Sequence, residues 1–129
     1  MAVAVTDGFG SPIFFTSWAS SAALLLTVPG STAAAPHRVG LSHVVAAVVG
    51  LAAHAVLPMS GLTIGIAVAV SVCLVSLADL MHPPAMANTA FAFVAGASPG
   101  AFLLTAVMGG LLLGAAAWSS RHAGFARTT

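Results

Sequence analysis

The residues best suited to chemistry in this chain are a histidine and two prolines, His82, Pro83 and Pro84, inside a sequence with almost no charge. Neither proline has a backbone N–H to donate, so the helical hydrogen-bond ladder must break there. The residue before each proline is also pushed away from helical geometry. In lipid, a broken backbone is tolerated only where protein or a water-filled cavity covers it. The motif therefore predicts a buried helix break beside a titratable ring, which is a candidate binding site.

Two prolines also favour the start of a new helix, because their missing N–H groups would lack partners in the first turn anyway. A helix beginning near Pro84 would present free amides, with Asn88 close by, and a helix N-terminus attracts a small anion. Membrane transporters aim interrupted half-helices at anionic groups in this way. The alternative is a turn at the membrane surface that His82 only caps. The sequence leaves both interpretations open.

Three further titratable residues are candidates for binding or proton exchange. Asp79 precedes His82 by one helical turn, and a carboxylate–imidazole pair orients the histidine, carries a proton or simply tethers the end of a helix. His43 and His54 are separated by about three turns, so they share one stripe of a helix and must face inward. We expect Asp79 and His54 to be the proton-coupling residues.

Metal, hydrolytic and nucleic-acid chemistry are not predicted. No two histidines have the i, i+4 spacing of a helical zinc site, and Cys73 is the only cysteine. The serines lack the spacing of a nucleophile elbow, and three arginines would neutralise few phosphates. We therefore expect no enzyme activity, no metal, no cofactor and no nucleic-acid partner. Histidines that converge in space would still allow a metal-binding membrane protein.

The composition places these residues in a membrane. Of the 129 residues, 60% are hydrophobic and 4% are charged, and the mean hydropathy is +1.11. Soluble domains carry about 25% charged residues. A span needs about 20 apolar residues, so the chain has room for four or five. So small a protein can barely enclose a pathway alone, and we expect a homo-oligomer surrounded by membrane lipid.

The apolar runs and their breaks predict an all-α, polytopic transmembrane helical bundle. It forms a single domain, residues 1–129, with four full spans plus a short or half-helix after the His-Pro-Pro break. The predicted helices cover residues 12–28, 38–57, 61–80, 84–97 and 101–118. The fourth helix either crosses as a thin tilted span or re-enters. Only if it crosses do all three arginines lie on one face, which the positive-inside rule makes cytoplasmic.

Small residues line several of the predicted helices. Ser17, Ser20 and Ser21 share one face of the first helix, which we expect to pack on a neighbouring helix, with a polar pathway as the alternative. The third and last helices carry small-xxx-small patterns at Gly61–Gly65 and Gly110–Gly114. Such patterns let helices approach closely, either within one chain or between subunits.

The order of these motifs resembles the HPP family of integral membrane proteins, which is named for its His-Pro-Pro motif. The stretch 80–85 (LMHPPA) matches the family's motif at the end of a span. Upstream, 18–22 (WASSA) is similar to the family's serine-bearing first motif, with Ser20 or Ser21 in the serine's place. The segment 36–38 (PHR), followed by His43, resembles the family's Pro-Arg segment leading to a Gly-His pair.

Plant and cyanobacterial members of that family are associated with nitrite transport, so the resemblance implies a small-anion transporter or channel for nitrite or a similar monovalent anion. Arg38 near a mouth would raise the local anion concentration. We expect the following residues to form the binding site: His82, Pro83, Pro84, Asn88, Ser20, Ser21, His43 and Arg38. We also expect a multi-pass protein of the bacterial inner (plasma) membrane. The alternative is a non-transporting membrane assembly subunit or a metal-binding membrane protein.

Overall fold

A computed structural model describes residues 13–95 and 97–126, which fold into helices joined by short turns. Their order is α1 (Ile13–Thr27), a 3-10 helix (Thr32–Ala34), α2 (Pro36–Val56), α3 (Gly61–Leu77), a second 3-10 helix (Pro83–Met86), α4 (Ala87–Val94) and α5 (Pro99–Ala126). The described residues contain no strand. The all-α prediction is therefore confirmed. Two charged residues, Asp7 and Arg127, lie outside the described residues.

Two helices are long and apolar enough to cross a membrane. They are α2, with 21 residues, and the part of α5 from Pro99 to Ala123, with 25. The described lengths of α1 and α3 are 15 and 17 residues, below the roughly 20 that a span needs. Two of the four predicted full spans thus have the expected length. The eight residues of α4 agree with the predicted short helix after the break.

The central element is α2, against which α3, α4 and α5 all pack. It begins with Pro36 in the first turn, where the missing N–H removes no bond, and it ends at Val56, just before Leu57 and Pro58. The first turn therefore starts two residues before the predicted one. Its buried side includes Val39, His43 and Ala46, which places one histidine at the centre of the bundle.

The crossing of α2 and α5 depends on glycines. A Cβ atom on Gly110 would lie 2.6 Å from the carbonyl oxygen of Gly40, and one on Gly114 would lie 3.3 Å from that of Pro36. The pattern at the end of the sequence therefore serves packing within the chain. By contrast, a Cβ atom on Gly61 or Gly65 would meet nothing within 4 Å.

The short helix α4 lies close to α2 because Gly50 has no side chain. A Cβ atom there would come within 2.6 Å of the carbonyl oxygen of Thr89. The hydroxyl of Thr89 donates a hydrogen bond of 2.9 Å to the carbonyl oxygen of Ala46, one turn earlier on α2. These two contacts fix the position of Asn88, the residue before Thr89, beside α2.

The end of α3 is a Schellman motif. The amide of Leu80 bonds to the carbonyl of Val75 over 2.7 Å, and the amide of Asp79 bonds to that of Ser76 over 3.1 Å. Asp79 has φ 56°, a left-handed conformation that ends the helix. The helix therefore stops at Leu77 rather than at the predicted Leu80, and Asp79 and His82 do not share a helical turn.

Candidate functional site

A serine hydroxyl joins two buried histidines at the centre of the bundle. Ser21 Oγ, on α1, lies 3.1 Å from Nε2 of His43 and 2.9 Å from Nε2 of His82. His43 belongs to α2, and His82 to the segment between α3 and the second 3-10 helix. All three side chains have no exposed surface. Three separate parts of the chain thus meet at one hydroxyl.

Asn88 extends this chain of hydrogen bonds from α4. Its Nδ2 atom lies 3.1 Å from Nδ1 of His43 and 3.3 Å from the carbonyl oxygen of the same residue. The side chain is fully buried, and its Oδ1 atom has no hydrogen-bond partner among the described residues. We call Asn88, His43, Ser21 and His82 the histidine network.

The direction of the hydrogen bonds in the histidine network follows from its last member. His82 Nδ1 lies 2.8 Å from the carbonyl oxygen of Ala33, which can only accept, so Nδ1 carries a proton. In a neutral ring Nε2 is then the acceptor, and Ser21 donates to it. Ser21 Oγ in turn accepts from Nε2–H of His43, whose Nδ1 accepts from Asn88. One consistent direction runs from Asn88 to Ala33.

The helix break holds His82 in place. The residue is extended (φ −135°, ψ 95°), and its side chain makes no cap bond to the following 3-10 helix. His82 therefore does not act as a simple helix cap in this conformation. Ser17, one turn before Ser21, donates a bond of 3.0 Å to the carbonyl of Pro84 and fastens α1 to the break. Pro83, in contrast, is exposed.

Arg38 and Asp79 form an ion pair away from the histidine network. One Nη atom of Arg38 lies 2.6 Å from Oδ1 of Asp79, and the side chains are 17% and 81% exposed, respectively. Asp79 thus contacts Arg38, whereas the bonds of His82 go to Ser21 and Ala33. The left-handed turn at Asp79 explains this difference, because it ends α3 before His82 and the two residues do not share a helical turn.

Two other predicted residues also lie outside the histidine network. Ser20 is exposed, and its hydroxyl bonds to the carbonyl of Thr16 in its own helix. His54 is exposed near the end of α2, where its ring packs edge-on against Phe93 at a centroid distance of 5.1 Å. Of the serine pair, Ser21 is therefore the one that reaches the histidines.

Sequence reasoning missed one contributor to the site, the carbonyl of Ala33, and one packing contact of the first helix, that of Trp18. The carbonyl of Ala33 carries no signal in the sequence, because every residue has a backbone carbonyl. Trp18 belongs to the motif at 18–22, but the motif does not indicate where the indole ring packs. Its Nε1 atom is buried and has no hydrogen-bond partner among the described residues. A Cβ atom on Gly109 of α5 would lie 2.3 Å from that nitrogen. Trp18 therefore packs directly on the backbone of α5.

The described part of the chain gives little support to the metal-binding alternative. No group of three or more histidine, cysteine, aspartate or glutamate residues there is arranged to hold a metal ion. Cys73 is exposed on α3. The histidine network has four hydrogen-bonding side chains but only two ring nitrogens that accept, and both are occupied by donors.

A family model described as "HPP, transmembrane region" matches residues 1–127 of the chain. The match spans all the described residues and includes every member of the histidine network. No curated protein and no solved structure matches the sequence.

Proposed function

Because the chain belongs to the HPP family of transmembrane proteins, we propose that it is a membrane transporter or channel for a small monovalent anion such as nitrite. The observation that carries the proposal is the histidine network, in which two fully buried histidines are joined by Ser21. Titratable groups inside a membrane protein are costly to bury and mark ion pathways and proton relays.

The charges around the histidine network support an anion as cargo. None of the hydrogen bonds to its two rings comes from a carboxylate, so nothing bonded there repels a negative ion. Asp79, the carboxylate among the described residues, is exposed and is paired with Arg38. Because the two charges of this pair compensate each other, Asp79 does not repel an anion that approaches the helix break.

The helix break supplies the short segments that we expect to move when an anion enters. The histidine network is closed, so an anion enters only if one of its segments shifts. The 3-10 helix Pro83–Met86 and the eight residues of α4 are short helical pieces that adjoin it. Short interrupted helices are the elements that line the binding sites of many transporters. The proposed assembly is a multi-pass homo-oligomer in the bacterial inner membrane.

A second candidate function is a non-transporting membrane subunit. The observation that favours it is that each donor of the histidine network has a partner and that no member is exposed. A network of this kind also stabilises one fold against others. The two candidates differ in whether an ion ever reaches His43 and His82.

Flux measurements separate the two functions. Purified protein in liposomes is compared with empty liposomes under the same inward nitrite gradient, with His82→Gln as the test variant. His37→Gln is the matched control, because His37 is an exposed histidine at the start of α2. We expect protein-dependent flux that falls at least tenfold in His82→Gln and is unchanged in His37→Gln. Folded protein that carries no nitrite, nitrate or chloride would favour the non-transporting subunit.

A further inference from the structure

We infer that the histidine network accepts an anion only together with a proton, and that Ser21 passes this proton between His43 and His82. The inference rests on the proposed function and adds a coupling mechanism to it. It depends on the donors and acceptors of the network, the unpaired Oδ1 of Asn88, and the absence of a carboxylate among the bonded groups.

The neutral histidine network has no free donor for an anion. His82 Nδ1–H is used by Ala33, and the Ser21 hydroxyl is used by His82. His43 Nε2–H is used by Ser21, and the two N–H groups of the Asn88 amide are used by His43. The atom left without a partner is Asn88 Oδ1, an acceptor, which an anion would not approach.

One added proton reverses this situation. A proton that binds His43 Nδ1 displaces the Asn88 amide, whose Nδ2 now faces another donor. Rotation of the amide group brings Oδ1 to the new N–H and gives the unpaired acceptor a partner. The Nδ2 group is then released with its two donors. The protonated network thus offers an anion the donors that the neutral network lacks.

The proton passes on through Ser21 by two linked transfers. His43 gives its Nε2 proton to Ser21 Oγ, and Ser21 gives its own hydroxyl proton to His82 Nε2. His43 is left neutral with its proton on Nδ1, Ser21 is again a neutral hydroxyl, and His82 becomes an imidazolium. Its Nδ1–H still donates to Ala33. One proton has entered at His43, and one can leave from His82 with the departing anion.

The resulting positive charge needs a negative partner inside the bundle. The groups that bond to the two rings are Ser21 from α1, the carbonyl of Ala33 from the first 3-10 helix and Asn88 from α4. None of these groups is acidic, and Asp79 forms its ion pair with Arg38. An unpaired buried charge is costly. The anion supplies the missing charge, so proton and anion occupy the site together and move in a ratio of one to one.

The test uses liposomes that hold a pH-sensitive dye, with the membrane potential clamped by potassium and valinomycin. The wild-type protein is expected to carry nitrite inward with an equal number of protons, at a rate that does not depend on the membrane potential. The nitrite flux should rise by up to about tenfold for each unit by which the outside pH falls. Passive entry of nitrous acid is subtracted with empty liposomes. A potential-dependent nitrite flux without protons would overturn the inference and leave the proposed transport intact.

Substitutions at two buried serines locate the relay. Ser21→Ala is expected to lose the proton movement, and Ser21→Thr, which retains a hydroxyl, is expected to recover part of it. Ser71→Ala is the matched control, because Ser71 is equally buried but its described hydrogen bond is a long one, to Met86 Sδ at 3.8 Å. Proton-coupled flux that survives in Ser21→Ala would overturn the relay.

A measurement on the folded protein distinguishes failure of the relay from failure of transport. Nitrogen-15 NMR of the imidazole rings in lipid is expected to show the Nδ1–H tautomer for His82 and the Nε2–H tautomer for His43 at high pH. The opposite tautomers would overturn the inference even if nitrite is carried. If no anion is carried at all, the proposed function and the coupling that rests on it both fail, whereas protein-dependent proton uptake in the absence of any anion would overturn the one-to-one coupling alone.

Discussion

The imidazole rings of His43 and His82 lie 5.6 Å apart between centroids, with their planes tilted by 54°, and the hydroxyl of Ser21 bridges their Nε2 atoms. The described structure has no direct hydrogen bond between the two rings, whereas the Ser21 hydroxyl is bonded to both, so exchange between the rings in this arrangement passes through the serine. The relationship is tertiary, since α1, α2 and the helix break each supply one member.

The first prediction concerns the stability that Ser21 provides. Ser21→Ala leaves the Nε2–H of His43 and the acceptor Nε2 of His82 without partners, and a buried unsatisfied polar group costs about 1–3 kcal/mol. We expect the free energy of unfolding in detergent to fall by at least that amount. Ser71→Ala should change it much less, because a long contact to sulfur is the interaction lost. Equal losses in both variants would contradict a specific role for Ser21.

The second prediction concerns the approach of α4 to α2. Gly50→Ala would place a Cβ atom 2.6 Å from the carbonyl oxygen of Thr89, and a backbone atom cannot rotate away. We expect a loss of about 1–3 kcal/mol of stability and displacement of Asn88 from His43. Gly65→Ala is the control: its Cβ meets nothing within 4 Å, and replacing glycine in a helix interior gains about 0.5–1 kcal/mol. Chemical denaturation of both variants in one detergent measures the difference.

Much of this arrangement follows from the sequence. The two prolines require a break in the helix near His82, and the expectation that the histidines of the second helix face inward is confirmed for His43 but wrong for His54, which is exposed near the helix end. The sequence does not indicate whether Ser20 or Ser21 reaches the histidine rings. The two serines are adjacent, so the rotation of α1 about its axis decides which of them faces the bundle. That rotation is fixed by tertiary contacts, among them the bond from Ser17 to Pro84.

The partner of Asp79 depended on the end of a helix. A continuous helix from 61 to 80 would place Asp79 one turn from His82, and an apolar run gives no sign of an earlier stop. The stop comes from a left-handed conformation at Asp79 itself. Aspartate adopts that conformation more readily than most residues, but it also occurs often in ordinary turns, so the residue type alone does not reveal it.

The third prediction separates the two roles of Asp79. Asp79→Gly should relieve the left-handed backbone while losing an exposed ion pair that contributes at most about 1 kcal/mol, so we expect little net change in stability. Asp79→Ala loses the pair and keeps the unfavourable backbone, and should be less stable than Asp79→Gly by about 1–2 kcal/mol. Thermal unfolding of both variants tests this. Equal destabilisation would mean that the carboxylate, and not the backbone, dominates.

The last prediction concerns the contact between Trp18 and Gly109. A Cβ atom on Gly109 would lie 2.3–2.5 Å from Nε1, Cε2 and Cζ2 of the indole, so Gly109→Ala should cost about 1–3 kcal/mol. Phenylalanine lacks the part of the indole that carries these atoms. Trp18→Phe also removes a buried N–H that has no partner, which offsets part of the packing it loses. We therefore expect Gly109→Ala to cost less in the Trp18→Phe background than in the wild type. A double-mutant cycle should give a coupling energy of about 0.5–3 kcal/mol, and additive effects would show that α1 and α5 do not meet at these residues.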